Sequence, residues 1–247
     1  MNFIADIGNT GIKCATARGA ELHAVKRYQT VREMADSLLL AGTRFDGIIV
    51  SSVIAVESSI VETLKGLCSL FLMTSHTTPL PFSSRYLTPE TLGGDRIAAM
   101  AAAHNKHGER AVLVIDAGTA ITFDIIEGGV HKGGTISPGI DIRFRALNSF
   151  TGSLPLASKE EALTPELPLT TLTTLDAIKR GVLNGAIFEI NEYIRRFNKC
   201  HPDGLVIITG GDSKLLSEAT DQKCITEPDL VLLGLNHILN YNADKSS

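Results

Sequence analysis

Tryptophan is absent and aromatic residues supply only 5% of the 247 positions, so stacking platforms for bases or sugar rings are scarce. The four cysteines, Cys14, Cys68, Cys200 and Cys224, lie far apart and form no CxxC pair. That argues against a thiolate zinc site and suits isolated thiols in a reducing compartment. No stretch approaches the roughly 18 uninterrupted apolar residues that a membrane span needs. The opening MNFIADIGNT reads as a strand and a loop, not a secretory leader, so the expectation is a cytoplasmic protein with no membrane contact. Positive charge is not in excess either. A net charge of −4 leaves no phosphate-neutralising surface of the kind nucleic-acid binders use.

What is present is an ordinary folded chain. Hydrophobic residues at 44% and charged residues at 20% rule out wholesale disorder. The length suits one large domain or two of roughly 100–150 residues each, with a core that needs no metal or disulfide. Short β-rich runs fall at 2–6, 12–16, 22–28, 47–53 and 70–74, with helical patterns at 31–40 and 57–68 between them. A second series has strands at 111–116, 120–126 and 205–209, a hairpin return at Gly128–Gly129, and helices at 176–199, 213–219 and 235–241. In the long helix Ile178, Val182, Ala186, Ile190, Ile194 and Phe197 form one stripe, widened by Leu183 and Ile187. It suits packing on a sheet, or a subunit interface. Residues 151–173, rich in Leu, Thr and Pro, read as an irregular loop.

An internal repeat organises these elements. The run Phe3-Ile-Ala-Asp6-Ile-Gly8-Asn-Thr10 is an apolar strand that ends in Asp-x-Gly and leads to a second strand carrying Lys13. Val112-Leu-Val-Ile-Asp116-Ala-Gly118-Thr119 does the same before Ala-Ile-Thr-Phe-Asp124. Two similar halves, 1–108 and 109–247, are therefore expected to face each other across a cleft, in an α/β fold.

Each loop has a chemical and a purely structural reading. In Asp6-Ile7-Gly8-Asn9-Thr10-Gly11 the glycines allow close backbone approach, and exposed N–H groups can surround phosphate oxygens. Asp6 would then hold Mg²⁺, directly or through water, and Lys13 would add a positive charge. The alternative is a hairpin turn with Asp as turn former. Asp116-Ala-Gly118-Thr119 repeats the device, and two such loops together suit a polyphosphate chain. Thr209-Gly210-Gly211-Asp212 fits a purine or ribose lying on bare backbone, or a strand-to-helix turn with Asp212 as N-cap. Gly133-Gly134-Thr135-Ile136-Ser137-Pro138-Gly139 reads as a glycine-rich turn, a pocket wall or plain structure, before a helical segment with Arg143 and Arg145. Gly93-Gly94-Asp95-Arg96 opens a helix over 97–104, with Asp95 as general base for an acceptor hydroxyl and Arg96 for an anionic group. Alternatively Asp95 caps the helix and pairs with Arg96. His104 and His107 are three apart but lack a third metal ligand, and a solvated helix is expected there.

Taken in order, DIGNT, YLTPETLGGDR, DAGTAITFD, GGTISPG, TTLDAIKRG and TGGD resemble the motifs of the type III pantothenate kinases. These belong to the superfamily of acetate kinase, the sugar kinases and actin. The motifs run from Asp6 to Asp212, most of the chain. The resemblance implies two ribonuclease H-like (actin-like ATPase) halves with mixed sheets flanking a nucleotide cleft. It implies ATP-dependent phosphorylation of pantothenate to 4'-phosphopantothenate, the first step of coenzyme A synthesis. By the same resemblance Asp6, Ile7, Gly8, Asn9, Thr10, Gly11, Ile12 and Lys13 bind ATP, and Thr119 touches it. Asp95 is the proton acceptor, while Tyr86, Gly93, Gly94, Asp95, Arg96 and Thr174 bind pantothenate. Asp116 holds a monovalent cation, K⁺ or NH₄⁺, needed besides Mg²⁺, and the protein is a homodimer. Thr173, where Asn is common, and Lys179-Arg180 depart from the family pattern around Thr174. The alternatives are another small-molecule kinase of the superfamily and a non-catalytic accessory factor for transcription.

Overall fold

The computed structural model describes residues 1–159 and 168–246. In chain order the elements are β1 (Asn2–Ile7), β2 (Ile12–Arg18), β3 (Glu21–Tyr28), α1 (Val31–Ala41), β4 (Phe45–Ser52), α2 (Ser58–Gly66), β5 (Cys68–Met73), β6 (Ser83–Ser84) and α3 (Gly94–His107). There follow β7 (Val112–Ala117), β8 (Ala120–Glu127), β9 (Val130–Pro138), α4 (Ile140–Ser149), α5 (Thr174–Cys200), β10 (Leu205–Thr209), α6 (Ser213–Ala219), β11 (Ile225–Thr226) and α7 (Leu230–Ser246). They form two compact units. Met1–Arg110, Asp124–Gly133 and Asp229–Ser247 make the first; Ala111–Phe123 and Gly134–Pro228 make the second.

The first unit is built on a five-stranded sheet of order β3-β2-β1-β4-β5, antiparallel through β3, β2 and β1 and parallel from β1 to β5. Period-two alternation sorts its residues. Phe3, Ala5 and Ile7 of β1 pack with Met34, Ala35 and Leu38 of α1 and Ile60 and Leu64 of α2. Ile4 points the other way, into a second layer formed by Ile97, Ala98 and Ala101 of α3 and Leu232, Leu235, Ile238 and Leu239 of α7. The alanine-rich α3 lets α7 cross it closely. At Gly234 a Cβ would collide with the backbone carbonyl of Ala98, so only glycine fits that crossing. The expected helices at 97–104 and 235–241 are the middles of α3 and α7, each longer at both ends.

In the second unit β7 lies between β8 and β10, with β10 parallel to it, and β11 continues the sheet beyond β10. The apolar stripe of α5 is buried as the spacing predicts. Arg143 of α4 ties α4 to α5 through an ion pair with Glu189, and also donates to the Ser137 hydroxyl at 2.8 Å and the Pro138 carbonyl at 2.8 Å.

One expectation is overturned. The run Gly133–Gly139 is not a turn: through Pro138 it is strand β9, paired beside β8, and only Gly139 turns into α4. Gly133 keeps a left-handed φ of +107° inside that strand. Ladder hydrogen bonds outweigh the weak strand preference of paired glycines. The loop expected over 151–173 has no helix or strand at 151–159 or 168–173, and 160–167 lies outside the described residues.

Candidate active site

The alternation that sorts the first core also gathers its charges. Asp6 shares the Ile4 face of β1, the side covered by α3 and α7. Its cross-strand neighbours are Lys13 on β2 and Ser51 on β4. Lys13 forms an ion pair with Asp229, just before α7, at 2.7 Å. From the helix side, Asp95 in the first turn of α3 faces the same spot. Burial, and next the negative charge of Asp95, push the Asp6 carboxyl up to about 6, against the opposing pull of Ser51 and Lys13.

The paired glycines before Asp95 have separate jobs. A Cβ on Gly93, the N-cap, would collide with the Asp95 carboxylate, so the bare backbone leaves that carboxylate its place. A Cβ on Gly94 would lie 2.8 Å from the Ser51 hydroxyl, so its absence lets the helix start settle on the end of β4. Asp95 accepts a hydrogen bond from the Arg96 backbone N–H at 2.8 Å. Around it, the Ser51 hydroxyl faces the Asp6 carboxyl, and the buried Thr74 hydroxyl has no hydrogen-bond partner. Two neighbouring carboxylates with these hydroxyls at a strand end make a donor set of hard oxygens that suits a divalent cation and its water.

The Arg96 side chain does not follow the alternative reading of a pair with Asp95. It pairs neither with Asp95 nor with solvent: it is 5% exposed, and forks onto Asp124 with Nε at 2.7 Å and an η-nitrogen at 2.6 Å. Burial opposes the Asp124 charge, yet hydrogen bonds from His131 and Arg96 hold its carboxyl below the usual range. Tyr86 lies within the same group, its hydroxyl 3.4 Å from Arg96.

The first loop is tight, with Gly8 N–H donating to the Gly11 carbonyl at 3.0 Å, while Asn9 and Thr10 are exposed at its tip. Ile7 and Ile12 flank it, both buried. In the second unit the Asp116–Thr119 loop is hemmed in by glycines. A Cβ on Gly139 would collide with the carbonyls of Gly118 and Thr119, and one on Gly210, with φ +91°, would collide with the Asp116 carboxylate and the Ala117 carbonyl. Opposite Asp116 in register stands Thr209, whose buried hydroxyl has no partner. The pairing of Asp6 with Ser51 is thus matched by Asp116 with Thr209. This corner, too, offers oxygen donors of the kind hard cations take.

Asp212 occupies the N-cap of α6 but makes no capping bond; its carboxylate instead accepts from Lys159 at 2.8 Å. Thr174 is the exposed first residue of α5. The cap is Thr173, whose hydroxyl accepts from the Asp176 N–H at 3.1 Å, a task Asn also performs. His104 and His107 belong to no group of three or more His, Cys, Asp or Glu side chains placed to hold a metal, and no such group occurs among the described residues. Among them, too, no helix is long and apolar enough to cross a membrane.

Asp6→Asn gives a pH-resolved expectation. Between the ordinary 3.8 and about 6 the folded protein keeps a proton that the unfolded chain has released. Stability therefore falls as pH rises through that window and stays lower above it. The variant is expected to match the parent near pH 4 and exceed it by about 1–3 kcal/mol near pH 7.5 in urea unfolding. Equal stability at both pH values would show that Asp6 is not held in this state.

Residues 2–196 match the family model of the type III pantothenate kinases. The chain is 42% identical over 248 residues to a type III pantothenate kinase of Phocaeicola vulgatus, covering 98% of this chain and 99% of the relative. Among solved structures, a conserved candidate Baf family transcriptional activator from Campylobacter jejuni aligns with TM-score 0.64 at 23% identity, covering 98% of this chain and 99% of that one. An ROK hexokinase from Thermus thermophilus aligns with TM-score 0.53 at 13% identity, again covering 98% and 99%. At those identities the structures speak for the fold alone, which is the sugar-kinase and actin-like ATPase type. With a family model spanning most of its length and a near-full-length relative at 42% identity, this chain belongs to the type III pantothenate kinases.

Proposed function

We propose that the protein transfers the γ-phosphoryl group of ATP to pantothenate, giving 4'-phosphopantothenate at the entry to coenzyme A synthesis. The observation that carries this reading is the meeting of Asp6, Lys13 and Asp95 on one face of the β1–β2–β4 strand ends, with Asp95 close enough to perturb Asp6. Residues Asp6–Lys13 bind ATP and Thr119 touches it. Asp6 holds Mg²⁺, which when bound neutralises phosphate charge. Asp95 accepts the hydroxyl proton of pantothenate and orients its oxygen for in-line attack. In a loose phosphoryl-transfer transition state such orientation matters more than basicity. Tyr86, Gly93, Gly94, Arg96 and Thr174 bind pantothenate, and Asp116 holds K⁺ or NH₄⁺ with the oxygens around it.

The halves 1–108 and 109–247 are read as a duplicated device, supported by the Asp–hydroxyl pairing that recurs in each. The working form is a cytoplasmic homodimer, for which the exposed Leu172, Leu175 and Phe188 at and along α5 supply apolar surface. Neither nucleic acid nor membrane is a partner. A coupled ADP-release assay with pantothenate and a panel of sugars, with and without K⁺, tests this. Turnover with pantothenate that rises with K⁺ is expected. Turnover with a sugar alone would overturn the substrate assignment.

A further inference from the structure

Behind Arg96 runs a chain of hydrogen bonds that the phosphoryl transfer itself does not need. Asp124, 2% exposed, accepts from the Arg96 fork and also from His131 Nε2 at 2.8 Å. His131 is wholly buried, and its Nδ1 lies 3.1 Å from the Ser84 hydroxyl. Ser84 Oγ already accepts from the Tyr86 backbone N–H at 3.1 Å, so its own hydrogen is left for Nδ1. A carboxylate only accepts, so Nε2 carries the ring proton that faces Asp124. Every member is then satisfied, from the Tyr86 backbone through Ser84, His131 and Asp124 to Arg96.

The consequence is a guanidinium with one free direction. Asp124 occupies Nε and one η-nitrogen. The remaining η-nitrogen stands beside the Tyr86 hydroxyl at 3.4 Å. Below it the Tyr86 ring centre lies 5.3 Å from the guanidinium carbon and stacks on the His131 ring at 6.0 Å. An unclamped arginine next to Asp95 would fold towards that carboxylate. The clamp prevents this and, by partly cancelling the Arg96 charge, makes recognition a matter of geometry more than attraction.

We infer that Asp124, His131 and Ser84 are positioning residues: they hold Arg96 so that its free edge, with the Tyr86 hydroxyl, receives the carboxylate of the acceptor and rejects neutral analogues. This rests on the pantothenate kinase reading and deepens it, naming what distinguishes an acid acceptor from its amide. A buried network that only stabilised the fold would not act on one substrate alone.

The test uses the full-length protein with pantothenate, its primary amide and ATP. His131→Phe keeps a ring against Tyr86 and removes both hydrogen bonds; His131→Gln keeps a donor for Asp124. His131→Phe is expected to raise KM for pantothenate about tenfold, with kcat and KM for ATP within about twofold, and to narrow the preference for acid over amide about fivefold. His131→Gln is expected to stay within about threefold of the parent. If the Phe variant does not fold, Ser84→Ala, at an exposed position, is expected to give the same pattern at about threefold. A folded His131→Phe with unchanged KM and acid preference overturns the inference alone, as does an unchanged Ser84→Ala where that variant has to stand in. So does an equal loss in kcat and in both KM values. A parent inactive on pantothenate would overturn the functional reading, and this inference with it.

Discussion

Replacing Asp95 with Asn is expected to lower kcat for pantothenate phosphorylation by about 10²–10⁴-fold, the usual worth of a positioned general base. Binding of ATP should stay within about threefold of the parent, because the amide keeps the size of the side chain and loses only its charge. Stopped-turnover kinetics and calorimetric titration with nucleotide separate the two. A second signature follows from the neighbouring carboxylate. Asp95 is the second cause, after burial, of the raised Asp6 value of about 6. Its neutralisation should therefore bring Asp6 part of the way back towards 3.8, readable by carboxyl-carbon NMR titration. Undiminished turnover would remove Asp95 from its assigned role, and an unmoved Asp6 would show that the carboxylates do not sense each other.

The other large effect is on stability. Asp124→Ala leaves the Arg96 cation buried without its counter-charge, and is expected to cost about 3–5 kcal/mol in urea unfolding. Removing both charges, as Arg96→Met with Asp124→Leu, should cost distinctly less than Asp124→Ala, because no isolated charge then remains inside. The comparison separates the worth of the pair from the penalty of orphaning one member. If the double variant is as damaged as the single one, the network owes its value to geometry that hydrophobic packing does not replace. If Asp124→Ala loses under about 1 kcal/mol, Arg96 has found water or another partner and is not locked as described.

The alternation of strands and helices is legible because it rests on local periodicity. Phe3, Ala5 and Ile7 against Ile4 mark β1 as a strand covered on both faces, and the stripe from Ile178 to Phe197 marks α5. What escapes is whatever long-range pairing decides. Gly133 and Gly134 read as a turn until ladder partners make them a strand. Arg96 and Asp124 are 28 residues apart, and nothing local says that they meet. His131 lacks even a motif to single it out. Ser51 and Thr209 are ordinary strand-end hydroxyls whose place beside Asp6 and Asp116 emerges only once β1 meets β4 and β7 meets β10. Asp6 and Lys13 are easier, since they face each other across a single hairpin. The oxygen-rich corners are thus readable where a hairpin makes them and hidden where a crossover does.

The placement of α7 bears on how the protein is made. Leu232, Leu235, Ile238 and Leu239 close the layer that covers the Ile4 face of the first sheet, and Gly234 seats them against α3. The strand β1 thus waits, during synthesis, until α7 has left the ribosome before that face is sealed. The unit holding Asp6 and Asp95 becomes complete only when α7 has been made, so a product terminated before α7 exposes an apolar sheet face to chaperones and proteases instead of forming a half-built site.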